Sequence, residues 1–105
     1  MKCYLILDLT IKDLKEFMRY VKKIPEFLDK HGGRYIIEGV EPKLLEGDWL
    51  PERLVILEFP SRQAAESFNS DPEIQPWFDI RRNSTVSKLI IADGCSWKGQ
   101  AAVED

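Results

Sequence analysis

The chain has 105 residues, 44% of them hydrophobic, and a net charge of −3 at pH 7. This length suits one domain with a modest core. The sequence has no basic stripe with interleaved aromatic residues, and no apolar run approaches the roughly 20 residues that a membrane span needs. Neither a nucleic-acid nor a membrane partner is therefore expected, and a cytoplasmic protein is predicted.

The chain begins with a strand-like segment. Residues 2–9 alternate between two faces and Asp8 interrupts their apolar run, so they indicate a strand and not a secretory signal. A helix follows. Asp13 is a good N-cap because its carboxylate can accept a hydrogen bond from a free N–H of the first turn. Glu16, three residues on, can complete a capping box, and Thr10 with Asp13 is the alternative pair.

The end of this helix leaves two alternatives open. Pro25 lacks a backbone N–H and clashes with the preceding turn, so it either kinks the helix or begins a second short helix over residues 26–31. Gly32 and Gly33 then end the helical segment, because glycine tolerates the left-handed conformation of a C-cap.

Two further strands enclose a long connection. Residues 34–40 and 53–59 are rich in apolar residues and predict the second and third strands. The connection between them, residues 41–51, contains Pro42, Gly47 and Pro51. It is longer than an ordinary hairpin loop, and long loops often carry function.

The last third of the chain predicts a helical region in two pieces and a final strand. Ser61 caps the first piece, and residues 69–72 interrupt it. The second piece covers residues 73–83, with Pro76 near its start, where proline is tolerated. Residues 86–92 form the last strand.

The resulting order, βαββαβ, is typical of the ferredoxin-like α+β fold, in which four antiparallel strands carry helices on one face. One such domain is expected over residues 1–96, followed by a tail, residues 97–105, without fixed structure. Alternation within the strands assigns nine residues to the face that packs on the helices: Leu5, Leu7, Tyr35, Ile37, Val55, Leu57, Phe59, Leu89 and Ile91.

The opposite face of the predicted sheet also keeps apolar residues. It holds Tyr4, Ile6, Ile36, Leu54, Ile56 and Ile90, together with the charged residues Asp8, Arg34, Glu38, Glu58 and Lys88. Contiguous apolar patches rarely stay exposed, so a second copy is expected to cover this face, as a two-fold homodimer. The charged residues either enclose a partly solvated cavity between the sheets or lie at strand ends that reach water.

Several segments also carry a family resemblance. They are His31-Gly32-Gly33-Arg34-Tyr35, Leu45-Glu46-Gly47-Asp48-Trp49, Pro51 with Arg53-Leu54-Val55, Leu57-Glu58-Phe59-Pro60-Ser61, Phe68-Asn69-Ser70, Pro72-Glu73 with Gln75, and Arg81 with Ser84. In this order they resemble the bacterial family known as domain of unknown function 1330, over residues 2–94. The chain departs from the family pattern at Ile74, where tyrosine is more usual.

This resemblance implies the dimeric α+β barrel superfamily. That superfamily includes cofactor-free monooxygenases, muconolactone isomerase, haem-dependent chlorite dismutase and amino-acid-sensing regulator domains. Because these activities differ, the resemblance implies the fold and the pairing of sheets but no reaction.

Two residues are candidates for catalysis. His31 is the only histidine, and imidazole titrates near neutral pH. Its alternative role is to interact with the dipole at the end of the helix, and haem ligation is conceivable by analogy with the superfamily. Asp48, in the long connection, is the second candidate and could instead cap a turn.

Trp49 and Arg53 are candidates for ligand binding. A guanidinium binds a carboxylate with two hydrogen bonds and an indole stacks on a planar ligand. The alternative is that Trp49 plugs the end of the barrel and Arg53 pairs with a neighbouring acid.

Three more residues are possible ligand contacts. Arg34 and Glu58 are expected in a polar cluster with Glu38, which could split carboxyl pKa values for acid–base work or could be a structural ion-pair network. Arg81, on the last helix, is a candidate to bind an anion.

Neither a metal nor a cofactor is expected. One histidine without a neighbouring cysteine is poor evidence for zinc, and the sequence has no phosphate-binding glycine motif. Cys3 and Cys95 are expected to be free thiols, with a disulfide as the alternative because the fold places both at one end of the sheet.

The sequence therefore predicts a small homodimer that binds an anionic or aromatic organic molecule near His31, Asp48, Trp49 and Arg53. A cofactor-independent enzyme of proton transfer or oxygenation is favoured. The alternative is a non-catalytic binding or structural dimer.

Overall fold

A computed structural model describes residues 1–95 of the chain. Residue 96, which ends the predicted domain, and the predicted tail, residues 97–105, lie outside the described residues. The described part forms β1 (Cys3–Ile11), α1 (Leu14–His31), β2 (Arg34–Val40), β3 (Arg53–Phe59), α2 (Arg62–Ser70), α3 (Gln75–Ser84) and β4 (Thr85–Asp93). This order confirms the predicted sequence of elements, with the second helical region in two pieces.

The strands form one antiparallel sheet in the order β2-β3-β1-β4. β1 and β3 are central, and β2 and β4 are the edges. The helices pack on one face, where Leu5, Leu7 and Leu57 of the sheet join Phe17 of α1 and Phe68 of α2 in a single core. The ferredoxin-like α+β fold predicted from the sequence is confirmed.

α1 runs without a break from its N-cap to its C-cap. The Oδ1 atom of Asp13 accepts a hydrogen bond from the backbone N–H of Glu16 at 3.2 Å, as predicted. A second helix after Pro25 does not form. A proline in a helix interior costs about 3 kcal/mol, but Ile24 and Phe27 on either side of it are buried, and each burial contributes about 1.5–3 kcal/mol.

Two register shifts in the β2–β3 pairing change which side chains face the helices. Tyr35 faces them, as predicted, but beyond the first shift Glu38 lies opposite Val55 and Ile37 lies on the other face. The prediction for Ile37 and Glu38 was therefore wrong, because an extra residue in one strand reverses the alternation that follows. Gly39, at the second shift, has φ 75°, which suits glycine.

The other face of the sheet, here called the open face, carries an apolar row across all four strands. Successive cross-strand partners in that row are Ile37, Ile56, Ile6 and Ile90. Ile90 is 60% exposed. No helix of the described residues packs on this isoleucine row.

Candidate functional site

A cavity of about 220 Å³ lies between α1 and the helix-facing side of the sheet. It is here called the α1 cavity. Its apolar lining comes from β1, α1 and β3: Leu7, Leu9, Ile11, Leu14, Phe17, Met18, Val21, Ile24, Val55 and Leu57. Few of its lining residues are polar, and a mostly apolar lining with a few polar groups is the usual composition of a site for a small organic molecule.

Three polar residues of β2 and β3 line the α1 cavity: Tyr35, Glu38 and Arg53. Glu38 is there because of the register shift in β2, which places it opposite Val55. Arg53 lies two residues before Val55 on the same face of β3, so Glu38 and Arg53 are diagonal neighbours. Arg53 forms no ion pair with any acidic side chain of residues 1–95.

The tyrosines of the α1 cavity are neutral over the physiological pH range. Burial raises the pKa of Tyr35 far above its ordinary value. Burial also raises the pKa of Tyr20, which lines the inner end of the cavity, although the positive charge of Arg81 opposes this rise. Both phenols can donate a hydrogen bond to a ligand, and neither is suited to act as a base.

Arg81 lies behind Tyr20, in the packing between α1 and α3. It is only 5% exposed, and its guanidinium carbon is 5.6 Å from the centre of the Tyr20 ring and 5.0 Å from that of Phe78. Its Nε atom has no hydrogen-bond partner within the described part of the chain. Arg81 also lines a small void of about 10 Å³ with Tyr20 and Asn69.

His31 lies outside the α1 cavity and contacts Asp71 in the turn between α2 and α3. Its Nε2 atom is 2.7 Å from Oδ2 of Asp71, and its ring meets Phe68 edge to face. The same Oδ2 atom accepts a hydrogen bond from Nζ of Lys30 at 2.8 Å, and Oδ1 accepts one from the backbone N–H of Glu73 at 2.9 Å.

These contacts satisfy the carboxylate of Asp71 almost completely. The hydrogen bond from Lys30 and that from His31 hold its pKa well below the ordinary range, so it stays ionised. Asp71 belongs to residues 69–72, which were predicted only to interrupt the helical region. Its contact with His31, 40 positions away, leaves no signal in the local sequence.

Arg34 and Glu58 meet on the open face, at the end where β1 begins. Nε of Arg34 donates to Oε1 of Glu58 at 2.8 Å, Nζ of Lys2 donates to the same oxygen at 3.2 Å, and the Tyr4 hydroxyl donates to Oε2 at 2.9 Å. The hydrogen bond from Arg34 is the main cause of a lowered pKa at Glu58. Glu38 is not part of this cluster, because the bulge turns it to the other face.

Trp49 also lies on the open-face side, at the opposite end of the sheet. Its Nε1 atom donates a hydrogen bond to Oδ2 of Asp8 at 2.9 Å. Asp48 is exposed in the connection between β2 and β3. His31, Trp49 and Arg53 therefore occupy three separate places, and the fold does not bring them together in one site.

Within residues 1–95, no group of three or more acidic, histidine or cysteine residues is arranged to hold a metal ion. No helix in this part of the chain is both long and apolar enough to cross a membrane. Cys3 is buried and Cys95 is exposed, and both are free thiols.

Comparison with known proteins gives one family match. The family described as domain of unknown function (DUF1330) matches residues 2–95. No curated protein matches the chain.

Solved structures share the fold. A protein of unknown function from Rhodopseudomonas palustris has a TM-score of 0.74 and 17% identity, covering 90% of this chain and 83% of its own. A dimeric ferredoxin-like protein of unknown function from Jannaschia sp. CCS1 has a TM-score of 0.70 and 9% identity, and the match covers 90% of this chain and 100% of that protein. SnoaB, a cofactor-independent oxygenase from Streptomyces nogalater, has a TM-score of 0.63 and 13% identity, and the match covers 94% of this chain and 98% of SnoaB. At these identities the similarity shows a common fold.

Proposed function

The chain belongs to the family described as domain of unknown function (DUF1330), and because that description gives no activity, we propose a function from the geometry of the α1 cavity. We propose that this cavity binds a small, largely apolar or aromatic organic molecule as the substrate of a cofactor-independent proton transfer. The observation that carries the proposal is an apolar cavity whose lining includes one carboxylate, Glu38, and one guanidinium, Arg53, which forms no ion pair within residues 1–95.

The chemistry follows from this pair. Glu38 can accept a proton from a carbon atom next to a carbonyl group, which leaves the electron pair on the substrate as an enolate. Arg53 can stabilise the negative charge on the enolate oxygen. In a β,γ-unsaturated carbonyl compound, return of the proton to the γ carbon completes an isomerisation without any further reactant. The shared fold with SnoaB, a cofactor-independent oxygenase, is consistent with chemistry of this class.

The active form in this proposal is a homodimer joined through the open face. The isoleucine row crosses all four strands, and a second copy could cover it. A dimeric ferredoxin-like protein shares the fold. The free thiols of Cys3 and Cys95 suit a reducing compartment such as the cytoplasm.

Binding without turnover is the second candidate function. The placement of His31 favours it, because the side chain best suited to proton transfer near neutral pH lies outside the cavity and holds Asp71 instead. In that case Glu38 and Arg53 would orient a ligand without reacting with it.

The test uses 2-tetralone, a two-ring ketone with exchangeable C–H bonds beside its carbonyl group. Binding is followed by NMR shifts of residues that line the α1 cavity, and turnover by deuterium incorporation in D2O. Wild-type protein should bind the ketone and accelerate the exchange, and Glu38→Gln should bind it with the exchange reduced to the uncatalysed rate.

Met18→Trp, which enlarges a side chain of the cavity wall, is the control for location and should abolish binding. Binding without exchange would support the second candidate. Shifts that lie elsewhere on the protein, or survive Met18→Trp, would overturn the proposed site.

A further inference from the structure

We propose that Arg81 is the anion-binding residue of the α1 cavity and that the natural ligand is an organic acid whose acidic group points inward, towards Arg81. This inference rests on the proposed binding function and adds the class of the ligand and its orientation. It assigns the acidic group to the buried inner end and not to Arg53 at the outer edge.

Burial of Arg81 has a cost in free energy. A guanidinium is always charged and has five N–H donors. Removing it from water is unfavourable unless a partner of opposite charge replaces the water. Arg81 is 5% exposed, and none of the carboxylates of residues 1–95 lies within ion-pair distance of it.

The neighbouring groups compensate for only part of this cost. The rings of Tyr20 and Phe78 offer cation–π contacts, and the Tyr20 hydroxyl also interacts with the guanidinium, but the Nε donor still has no partner among the described residues. Arg82, the next residue, shows the ordinary arrangement: it is exposed and its NH1 atom donates to Oδ1 of Asp79 at 2.9 Å. The contrast supports a role for Arg81 in binding a group that residues 1–95 do not supply.

Arg81 lies close to the α1 cavity. The α1 cavity and the void beside Arg81 share three lining residues, Leu7, Tyr20 and Leu57. The two spaces are therefore neighbours. The void of about 10 Å³ has room for about one water molecule, so the proposal requires the Tyr20 ring to move aside when a carboxylate binds, which joins the two spaces.

The groups around the void suit a carboxylate in particular. The planar guanidinium of Arg81 matches the two oxygens of a carboxylate. The Tyr20 phenol is neutral and can donate a further hydrogen bond, and Asn69 lies at the same void. The apolar lining of the α1 cavity would then hold the hydrocarbon or aromatic body of the acid.

The test compares two probes of nearly the same shape, 2-naphthoate and its neutral amide, 2-naphthamide. Dissociation constants are measured by isothermal titration calorimetry at constant ionic strength. Wild-type protein should prefer the acid by about tenfold or more, since hydrogen bonds to charged groups are the stronger ones. Arg81→Met should remove the preference and leave the affinity for the amide within about threefold.

Three variants separate the inner end of the cavity from its outer edge and from general charge effects. Arg53→Met and Arg82→Met should each keep the preference for the acid. Arg81→Lys should restore part of it, because lysine keeps the charge and loses the planar geometry. Loss of the preference in Arg53→Met with retention in Arg81→Met would overturn the inference, and it would place the acid at the outer edge.

The remaining outcomes are also decisive. If both probes bind wild-type protein equally, the inference fails while the proposed binding function stands. If neither 2-tetralone nor either naphthalene probe binds, the proposed function fails as well. The thermal midpoint of probe-free Arg81→Met tests a purely structural role, because loss of a buried unpaired charge should leave it unchanged or raise it, whereas a structural arginine would lower it.

Discussion

Nε2 of His31 lies 2.7 Å from Oδ2 of Asp71, a residue 40 positions further along the chain. This contact ties the end of α1 to the turn between α2 and α3. The backbone N–H of Glu73 and the Nζ atom of Lys30 bind the same carboxylate. The only histidine of the chain therefore has a partner that joins two elements of the fold, a contact that the sequence did not predict for this catalytic candidate.

The ionised state of Asp71 should make stability depend on pH. Its pKa is lower in the folded chain than the ordinary value of about 3.9, so the unfolded chain takes up this proton first as the pH falls. The stabilisation is therefore present above about pH 5 and is lost progressively below it. Asp71→Asn should lower the free energy of unfolding at pH 7, and the difference from wild type should shrink towards pH 3.

Urea unfolding at a series of pH values measures this difference. Glu58 also has a lowered pKa, so both proteins should lose stability in acid, and only the gap between them reports on Asp71. Glu73→Gln, at an exposed partner of Lys30, is the control and should open a much smaller gap. A difference in the free energy of unfolding between wild type and Asp71→Asn that stays constant from pH 7 to pH 3 would contradict the lowered pKa of Asp71.

The isoleucine row of the open face predicts the effect of one substitution on assembly. Ile6→Glu places a carboxylate between Ile56 and Ile90, where a second copy would have to bury it without a partner. Native mass spectrometry should show a dimer for wild type and a monomer for Ile6→Glu. Gln63→Glu adds the same charge on α2, away from this face, and should remain dimeric. A monomeric wild-type protein would show that the open face is not a dimer interface.

Trp49 should restrain the connection between β2 and β3. Trp49→Phe keeps the aromatic ring but removes the hydrogen bond to Asp8, which is worth about 1 kcal/mol. The population in which this connection is locally opened should then rise about fivefold. The measurement is the rate at which trypsin cleaves after Lys43, and Trp77→Phe, on α3, is the control. Equal cleavage rates in Trp49→Phe and wild type would show that the contact with Asp8 does not hold this segment.

Gly33 should tolerate no side chain, because a Cβ atom there would lie 2.5 Å from Cε1 of Phe59. Phe59 is a fully buried core residue. Gly33→Ala should therefore lower the free energy of unfolding by about 1–3 kcal/mol. In a Phe59→Leu background the same change should cost less, since the two sites are in contact. If urea unfolding shows that the stability losses of Gly33→Ala and Phe59→Leu simply add, the effect of Gly33→Ala comes from the backbone and not from its contact with Phe59.

The order of elements, the Asp13 cap and the glycine that ends α1 could all be predicted from the sequence. Each depends on residues within a few positions of one another, and local preferences of this kind survive in any fold that contains the helix. The βαββαβ order then restricts the topology, and the apolar residues on both faces of the strands predict a surface that needs a partner.

The tertiary structure alone decided where the functional groups lie. One extra residue in β2 moves Glu38 from the open face into the α1 cavity, and periodicity cannot show a bulge in advance. His31 and Asp71 meet across 40 residues. Arg81 was recognised as a possible anion site, but its burial behind Tyr20 depends on the packing of α1 against α3. Local pattern thus determined the elements, whereas the site depends on contacts between residues distant in sequence, which spacing along the chain does not encode.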